Sequence, residues 1–351
     1  MFFGKKNHLV GLDIGSRTIK AAELVDTKKG FSLKNFGTID IASGLIEEGS
    51  IKEPERVAQS IRELFKISNI KEQNVAISIG GYSVIVKKIN VQTMSEEELH
   101  DAIHFEAEQY IPFDISDVNI DFQILGEAEN NPNQMSLLLV AAKTDMIDDY
   151  IRLVQLAGLN PCVIDVDAFA LQNIYELSYD VEDQGVALID VGASKTSLNI
   201  LRGNASLFMR DVSLGCTQIN EKIASVASCS VEEAEAFKFD EKKSVIPHEQ
   251  MMEIVSSVTT DWCDEIRRAL EYFYSTDSDA RIKRILLSGG GAHIEEFRKL
   301  LSAETSADVE MMNPFAKIEL SKKDLDSDFL EQRAPQAAVC MGLALRGIAD
   351  K

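Results

Sequence analysis

An acidic residue at the end of an apolar run, followed by a small polar turn, occurs twice in this chain. GLDIGSRTIK stands at residues 11–20 and LIDVGASKTSLNI at 188–200, about half the chain apart. The elements around the two motifs follow the same order. In the first half LVGLD reads as a strand, 14–18 as a turn, and IKAAELV and FSLKNFGTID as two more strands. A helix over about 54–67 and a strand at VAISI follow. In the second half VALID, TSLNIL and ASLFMRDV are strands and GASKT the turn. Helices through about 216–275, the strand RIKRILLS and a helix near 293–303 complete it. β-Branched runs bounded by turn residues carry these assignments. A DxG turn alone says little, because Asp and Gly are ordinary turn residues. The matched strand order makes coincidence a poor account. It predicts two similar α/β lobes facing across a cleft, a favoured place for ligands, and 351 residues suit two domains.

Turns built of Gly, Ser and Thr present backbone N–H groups and hydroxyls together, which suits an anion. Gly15 and Gly192 let the backbone approach a phosphate, Ser16, Thr18, Ser194 and Thr196 add hydroxyls, and Lys20 adds charge if it points inward. Carboxylates repel phosphate, so Asp13 and Asp190 need a different role. A magnesium ion between them, held by carboxylates, waters and the phosphates, supplies one. LLSGGGAHI (286–294) is a strand running into Gly289, Gly290 and Gly291 and then a helix whose N-terminus attracts an anion. A plain tight loop is the other reading. Ser230 and Glu233 form a capping box that starts a helix. Glu235 and Lys238 share one face of it, either as a solvated ion pair or as contacts for an adenosine.

The net charge of −21 disfavours nucleic acid and anionic lipid as partners. The five cysteines form no CxxC pair, which argues against a disulfide framework or a cysteine-rich zinc site. No apolar run approaches the ~18 residues a membrane span needs, so a cytoplasmic protein without direct membrane insertion is expected. His100 and His104 stand four apart, but Asp101 follows where HExxH has Glu, so zinc chemistry has little support. No GxSxG elbow is present to support hydrolase chemistry.

Together the motifs resemble those of the actin-like ATPase superfamily, which includes actin, Hsp70, MreB, FtsA and sugar kinases. GLDIGSRTIK is similar to its first phosphate motif, LIDVGASKTSLNI to its second and LLSGGGAHI to its adenosine motif. DAFALQNIYEL (167–177) and APQAAVCMGLALRG (334–347) resemble its two connecting helices. The resemblance implies ATP and Mg2+ as ligands. It implies a nucleotide-contacting set of Gly15, Ser16, Arg17, Thr18, Lys20, Gly192, Ala193, Ser194, Lys195, Thr196, Gly215, Glu235, Lys238, Gly289, Gly290 and Gly291. Asp13 and Asp190 would act on the metal through water. Asp167 falls near an acid that positions the attacking water in MreB-type proteins. MSEEELHDAIHFEAEQYIPFDISDVNIDFQIL (94–125) and LVAAKTDMIDDYIRLVQLAGLNPCVIDVDAFAL (139–171) narrow the likeness to the PilM family of type IV pilus assembly.

That family resemblance implies an α/β, actin-like fold of duplicated ribonuclease H-like lobes, with an FtsA-type 1C (SHS2-like) module in place of actin's 1B. The expected division is 1–82 and 159–183 for the first lobe, 83–158 for the insert and 184–351 for the second lobe. Subdomain 2B would span about 216–275, and a C-terminal helix at 334–348 would return to the hinge. Ser95 and Glu98 make a capping box, and Leu99, Ala102, Ile103 and Ala107 give the insert's helix one apolar face. VIVKKINV, VNIDFQIL and SLLLVAAK are strands for it to cover, with an exposed loop at 127–134. A further charged connection is expected at 321–333.

Implied partners are the cytoplasmic N-terminal peptide of the inner-membrane protein PilN and other inner-membrane platform proteins of the pilus. Val84, Tyr110 and Phe113 are candidates for the peptide groove. The chain is expected to sit at the inner membrane through such partners, since it ends at LALRGIADK without an amphipathic tail. ATP hydrolysis, if any, is expected to be slow. The alternatives are an FtsA-like filament-forming division protein and a small-molecule kinase of the same superfamily. A related type II secretion system is an equally open setting for the adaptor.

Overall fold

The computed structural model describes residues 8–128, 131–181, 184–239, 245–276, 281–320 and 326–347. β1 (Val10–Ile14), β2 (Thr18–Thr27) and β3 (Gly30–Asp40) form an antiparallel meander. The small hairpin β4 (Ile46–Glu47) and β5 (Ser50–Ile51) leads into α1 (Pro54–Ile67), which begins on a proline that needs no N–H partner. β6 (Asn74–Ile79) then lies parallel to β1. An insert follows: β7 (Val84–Gln92), α2 (Glu96–Glu108), β8 (Val118–Ala128) and β9 (Asn131–Lys143). α3 (Thr144–Leu156) and β10 (Asn160–Val166) return to the first sheet, β10 parallel to β6.

The second half repeats the scheme after α4 (Asp167–Ser178). β11 (Gly185–Val191), β12 (Thr196–Arg202) and β13 (Ala205–Val212) make the meander. α5 (Thr217–Ala227), α6 (Val231–Phe239) and α7 (His248–Thr276) precede β14 (Ile282–Ser288), which is parallel to β11. α8 (Glu295–Thr305), β15 (Asp308–Met311), β16 (Glu319–Leu320) and α9 (Ser327–Leu343) complete the order. The first sheet runs β10-β6-β1-β2-β3 and the second β15-β14-β11-β12-β13, so the two are topologically equivalent. β16 breaks the equivalence by crossing back to pair with β3.

Each sheet buries helices on its outer face. Val57, Ala58, Ile61, Leu64 and Phe65 of α1 cover the first sheet. Trp262, Ile266, Leu270 and Phe273 of α7 cover the second, with Trp262 edge-on to Phe297 at 5.5 Å. Between the sheets, α4 and α9 share one apolar core with strands of both lobes, from Leu24 and Leu33 to Leu188 and Leu286. A side chain at Gly342 of α9 would strike the Ala170 carbonyl of α4, so the helices cross at backbone contact.

The insert is a separate sheet in the order β7-β9-β8, with Leu99, Ile103 and Ala107 of α2 buried against it. Both capping boxes form: Ser95 with Glu98, and Ser230 with Glu233. Several boundaries differ from the sequence expectation. α3 lies inside the expected insert span, yet its stripe of Tyr150, Leu153 and Val154 is buried in the core of the first lobe. Strand pairing continues through Ala128 and resumes at Asn131, so the expected loop at 127–134 is largely a hairpin; 129–130 lie outside the described residues. The stretch 327–333 is helical rather than a connection, because Asp326 caps the backbone N–H groups of Asp328 and Phe329 and starts α9 well before Pro335. The rest of that expected connection, 321–325, lies outside the described residues. α8 begins at Glu295, two residues later than expected, because Gly290–His293 forms a 3-10 turn after Gly289.

Candidate functional site

The ends of β1 and β11 face a single cleft of about 1210 Å³ between the lobes. Asp13 is next to last in β1 and Asp190 next to last in β11, so strand geometry delivers both carboxylates to the mouths of the two turns. Cross-strand register decides their neighbours. Lys20 lies opposite Asp13 on β2, and its Nζ is 3.0 Å from Asp13 Oδ2. Ser197 lies opposite Asp190 on β12, and Ser288 lies beside it on β14. The Ser288 hydroxyl donates to Asp190 Oδ1 at 2.7 Å.

Burial sets the ionisation of both acids. It pushes Asp190 up to about 6, with the nearby Asp13 charge adding to the rise and the Ser288 hydrogen bond opposing it. Burial also raises Asp13, but Lys20 works against that rise. Burial acts on Asp167 too, at the start of α4. There the charge and hydrogen bond of Lys195, together with Ser78, outweigh it and hold the carboxyl below its usual range. Lys195 is buried, which works to lower its pKa, but Asp167 and Asp211 more than offset this and raise it.

The two turns touch. Ser16 Oγ and Ser194 Oγ are 3.0 Å apart. Arg17 from the first turn pairs with Glu235 of α6, while its Nε and Nη1 are buried with no hydrogen-bond partner among the described residues. Lys195 of the second turn pairs with Asp167 and lies 3.6 Å from Asp211 of β13. Hydroxyls, lysines, an arginine with spare donors and close-approach glycines supply groups for an anion. Two half-buried carboxylates supply groups for a cation.

Of the residues singled out by sequence, Asp13, Gly15, Ser16, Arg17, Thr18, Lys20, Asp167, Asp190, Gly192, Ala193, Ser194, Lys195, Glu235, Gly289 and Gly290 line this cleft. Thr196, Gly215 and Gly291 do not. The Thr196 hydroxyl donates to the Leu214 carbonyl at 2.9 Å. Gly215 is packed against the Ala193 carbonyl and Gly291 against the Val191 side chain, so these three residues shape the turns from behind. Gly289, at φ +79, sits where a side chain would meet the Val191 backbone. The Lys238 side chain lies outside the described residues. Thr18 donates to Asp40 at 3.1 Å.

Val84, Tyr110 and Phe113 are dispersed. Val84 packs against the first-lobe core, whereas Tyr110 and Phe113 pack on the insert's own core. Lys87 stands over the Tyr110 ring at 5.3 Å and Lys143 over Phe113 at 4.5 Å.

Sequence reasoning missed Ser78, Gly80, Gly81 and Asp211. Ser78 donates to Asp167 Oδ1 at 2.5 Å, and the Gly81 N–H donates to Asp211. A signal was available for the first three: VAISIGG, a strand ending in two glycines, is the first-lobe counterpart of ILLSGG. Asp211 carries no such mark, since it comes to the cleft only through its pairing with Ser197.

This is the two-lobed fold of actin-like proteins. MreB5 of Spiroplasma citri bound to ADP superposes with a TM-score of 0.53 at 11% identity, over 96% of this chain and 94% of that one. The family model for the type IV pilus assembly protein PilM matches residues 11–348, and the chain belongs to that family. A chain of a PilM-PilN type IV pilus biogenesis complex superposes with a TM-score of 0.86 at 28% identity, covering 98% of this chain and all of that one. The cell division protein FtsA of Bacillus subtilis is 25% identical over 253 residues, 65% of this chain and 57% of FtsA. The chain thus matches little more than half the length of that relative. No helix among the described residues is long and apolar enough to cross a membrane.

Proposed function

We propose that this PilM-family protein is a cytoplasmic, Mg-ATP-binding adaptor of type IV pilus assembly, held at the inner membrane by protein partners. The observation that carries the nucleotide reading is the pair Asp13 and Asp190, brought by equivalent strands of two equivalent lobes to one cleft. The donor set fits the ligand. Arg17 has two buried nitrogens without partners among the described residues, and Lys20, Ser16 and Ser194 line the same space. Asp13 and Asp190 would hold magnesium through water, and the turns at 15–18 and 192–195 would hold the phosphates. Gly289 and Gly290 would lie along the nucleoside with Glu235. Bound magnesium would supply charge neutralisation for the phosphates. Asp167 is committed to Lys195 and Ser78, a poor state for orienting a water, which suits a protein that binds ATP and turns it over slowly if at all.

The partner we infer is the cytoplasmic N-terminal peptide of PilN, docked between the insert and the first lobe, with other platform proteins at further surfaces. Kinship with a protein solved in a PilM-PilN complex supports this reading. Calorimetric titration of the full chain with Mg-ATP tests the nucleotide site. Binding should be measurable in the wild type and weakened in each of Asp13→Ala and Asp190→Ala; unchanged affinity in both variants would refute the assignment.

A further inference from the structure

The polar cluster of Lys195, Asp167 and Asp211 joins parts that the nucleotide reading alone leaves unconnected. Lys195, on the turn assigned to phosphate, pairs with Asp167 and stands 3.6 Å from Asp211 Oδ2. The same Asp211 oxygen accepts the backbone N–H of Gly81. Asp211 belongs to the second lobe, and Gly81 is the last glycine before the insert. The Gly81 carbonyl in turn accepts the N–H of Val84, the first residue of β7, at 3.0 Å. The segment is built for this approach. A side chain at Gly80 would collide with Lys195 Nζ and Asp167, and Gly81 has φ +88, a region that favours glycine.

We propose that Lys195, Asp211 and Gly81 form a relay by which a terminal phosphate in the cleft alters the attachment of the insert to the rest of the molecule. The proposal rests on the reading of the cleft as a nucleotide site. One ammonium serves two carboxylates here. Asp167 has Ser78 as a second donor, whereas Asp211 is the more distant of the two acids from Lys195. A phosphate arriving beside Ser194 and Lys195 competes for the ammonium, and the longer contact yields first. Asp211 then loses its counter-ion and faces a second anion, which at this separation in a partly buried site is a sizeable repulsion. It withdraws from the Gly81 N–H, and the strand leading into the insert is released from the second lobe. By linkage, a ligand that binds the insert more tightly in one of these two arrangements is coupled to nucleotide in both directions.

Hydrogen exchange over residues 79–92 in the full chain, with and without saturating Mg-AMPPNP, reads the relay directly. Nucleotide should speed exchange there about fivefold in the wild type, within the usual range of coupling between sites. Asp211→Asn retains an acceptor for the Gly81 N–H and loses the charge. Asp211→Ser removes the charge and, with its shorter side chain, the acceptor as well, and covers the case in which the first variant folds poorly. Either folded variant should bind nucleotide and show no nucleotide-dependent change at 79–92. Unchanged or slower exchange in the nucleotide-bound wild type overturns the relay while leaving the nucleotide site standing, as does a wild-type response in the variants. Absence of nucleotide binding to the wild type by calorimetry overturns both.

Discussion

The two lobes share a strand order but have equipped equivalent positions differently. Opposite Asp13 the first lobe places Lys20, and opposite Asp190 the second places Ser197, whose hydroxyl is buried without a partner among the described residues. Beside Asp190 stands Ser288; the corresponding Ser78 of the first lobe turns instead to Asp167. One carboxylate therefore has a fixed counter-ion and the other a single hydroxyl donor. Duplication supplied the geometry of a clasp, and later divergence made its halves unequal. The first lobe is charge-balanced without ligand, and the second is left to be balanced by what enters the cleft.

The largest expected effect removes that balance from the first lobe. Lys20→Met leaves Asp13 without its counter-ion in a mostly buried site, where the two side chains are 15% and 14% exposed. Breaking a fully buried pair by removing one partner costs roughly 3–5 kcal/mol, and this partly exposed pair falls toward the lower end of that range. Urea denaturation should show a loss of that order, and a change of under about 1 kcal/mol, the value of an exposed pair, would erase the contrast between the lobes. The next effect is on ligand. Asp190→Ala should weaken Mg-ATP about a hundredfold, the upper range for losing a metal-orienting group. Asp13→Ala should weaken it less, because it frees Lys20 to serve the phosphates. Calorimetry that ranks the two the other way would show that Asp13, despite its counter-ion, is the stronger metal anchor.

The lobes differ most in that only the first carries an insert, and the proposed peptide groove lies against it. Phe113 is half-buried beneath Lys143, so Phe113→Asp places a charge at the edge of the insert's core and replaces the ring under Lys143 by a carboxylate. Affinity for a PilN N-terminal peptide should fall about tenfold, as for a contributing interface aromatic. Circular dichroism would establish that the variant is folded. A folded variant with undiminished affinity would move the groove away from this edge.

Much of this architecture could be read in the residues, for reasons that also mark where reading stopped. Hydrophobic alternation and the DxG turns specify two meanders, and strand ends then fix where Asp13 and Asp190 emerge. Capping boxes at Ser95 and Ser230 are local and were legible. Contacts set by register across lobes were not. Nothing along the chain indicates that Lys195 reaches Asp167 or that Asp211 meets the Gly81 N–H. The three residues that line no part of the cleft, Thr196, Gly215 and Gly291, fail for a related reason. Their side of the backbone is decided by a turn's path, and a motif carries composition without direction. α3 falls within the insert span of 83–158 that the family resemblance implies, while its apolar stripe answers to α1 across the first lobe.

The smallest expected effect concerns Ser288, and it tests the unequal clasp through pH. Asp190 titrates near 6 in the folded chain against a usual 3.8, so between these values the folded state holds the extra proton. Stability without nucleotide or metal should therefore fall as pH rises from about 4 through about 6, and level off above. Glu23 gives the opposite slope in the same molecule. It is buried, which would raise it, but hydrogen bonds from Lys34, Asn35 and His8 outweigh burial and hold it below the usual 4.5, so its contribution is lost as pH falls below that value. Ser288→Ala removes the hydroxyl that favours the Asp190 carboxylate. It should cost about 1 kcal/mol at neutral pH, the net value of one such hydrogen bond. It should also move the upper end of the falling limb above its wild-type position. Asp190→Asn should make that limb shallower, leaving the part due to Asp13, which burial also raises, and the acid limb of Glu23 in place. If denaturation curves taken in chelator across this range show the falling limb intact in Asp190→Asn, the raised acid lies elsewhere and the second lobe is not waiting for a cation.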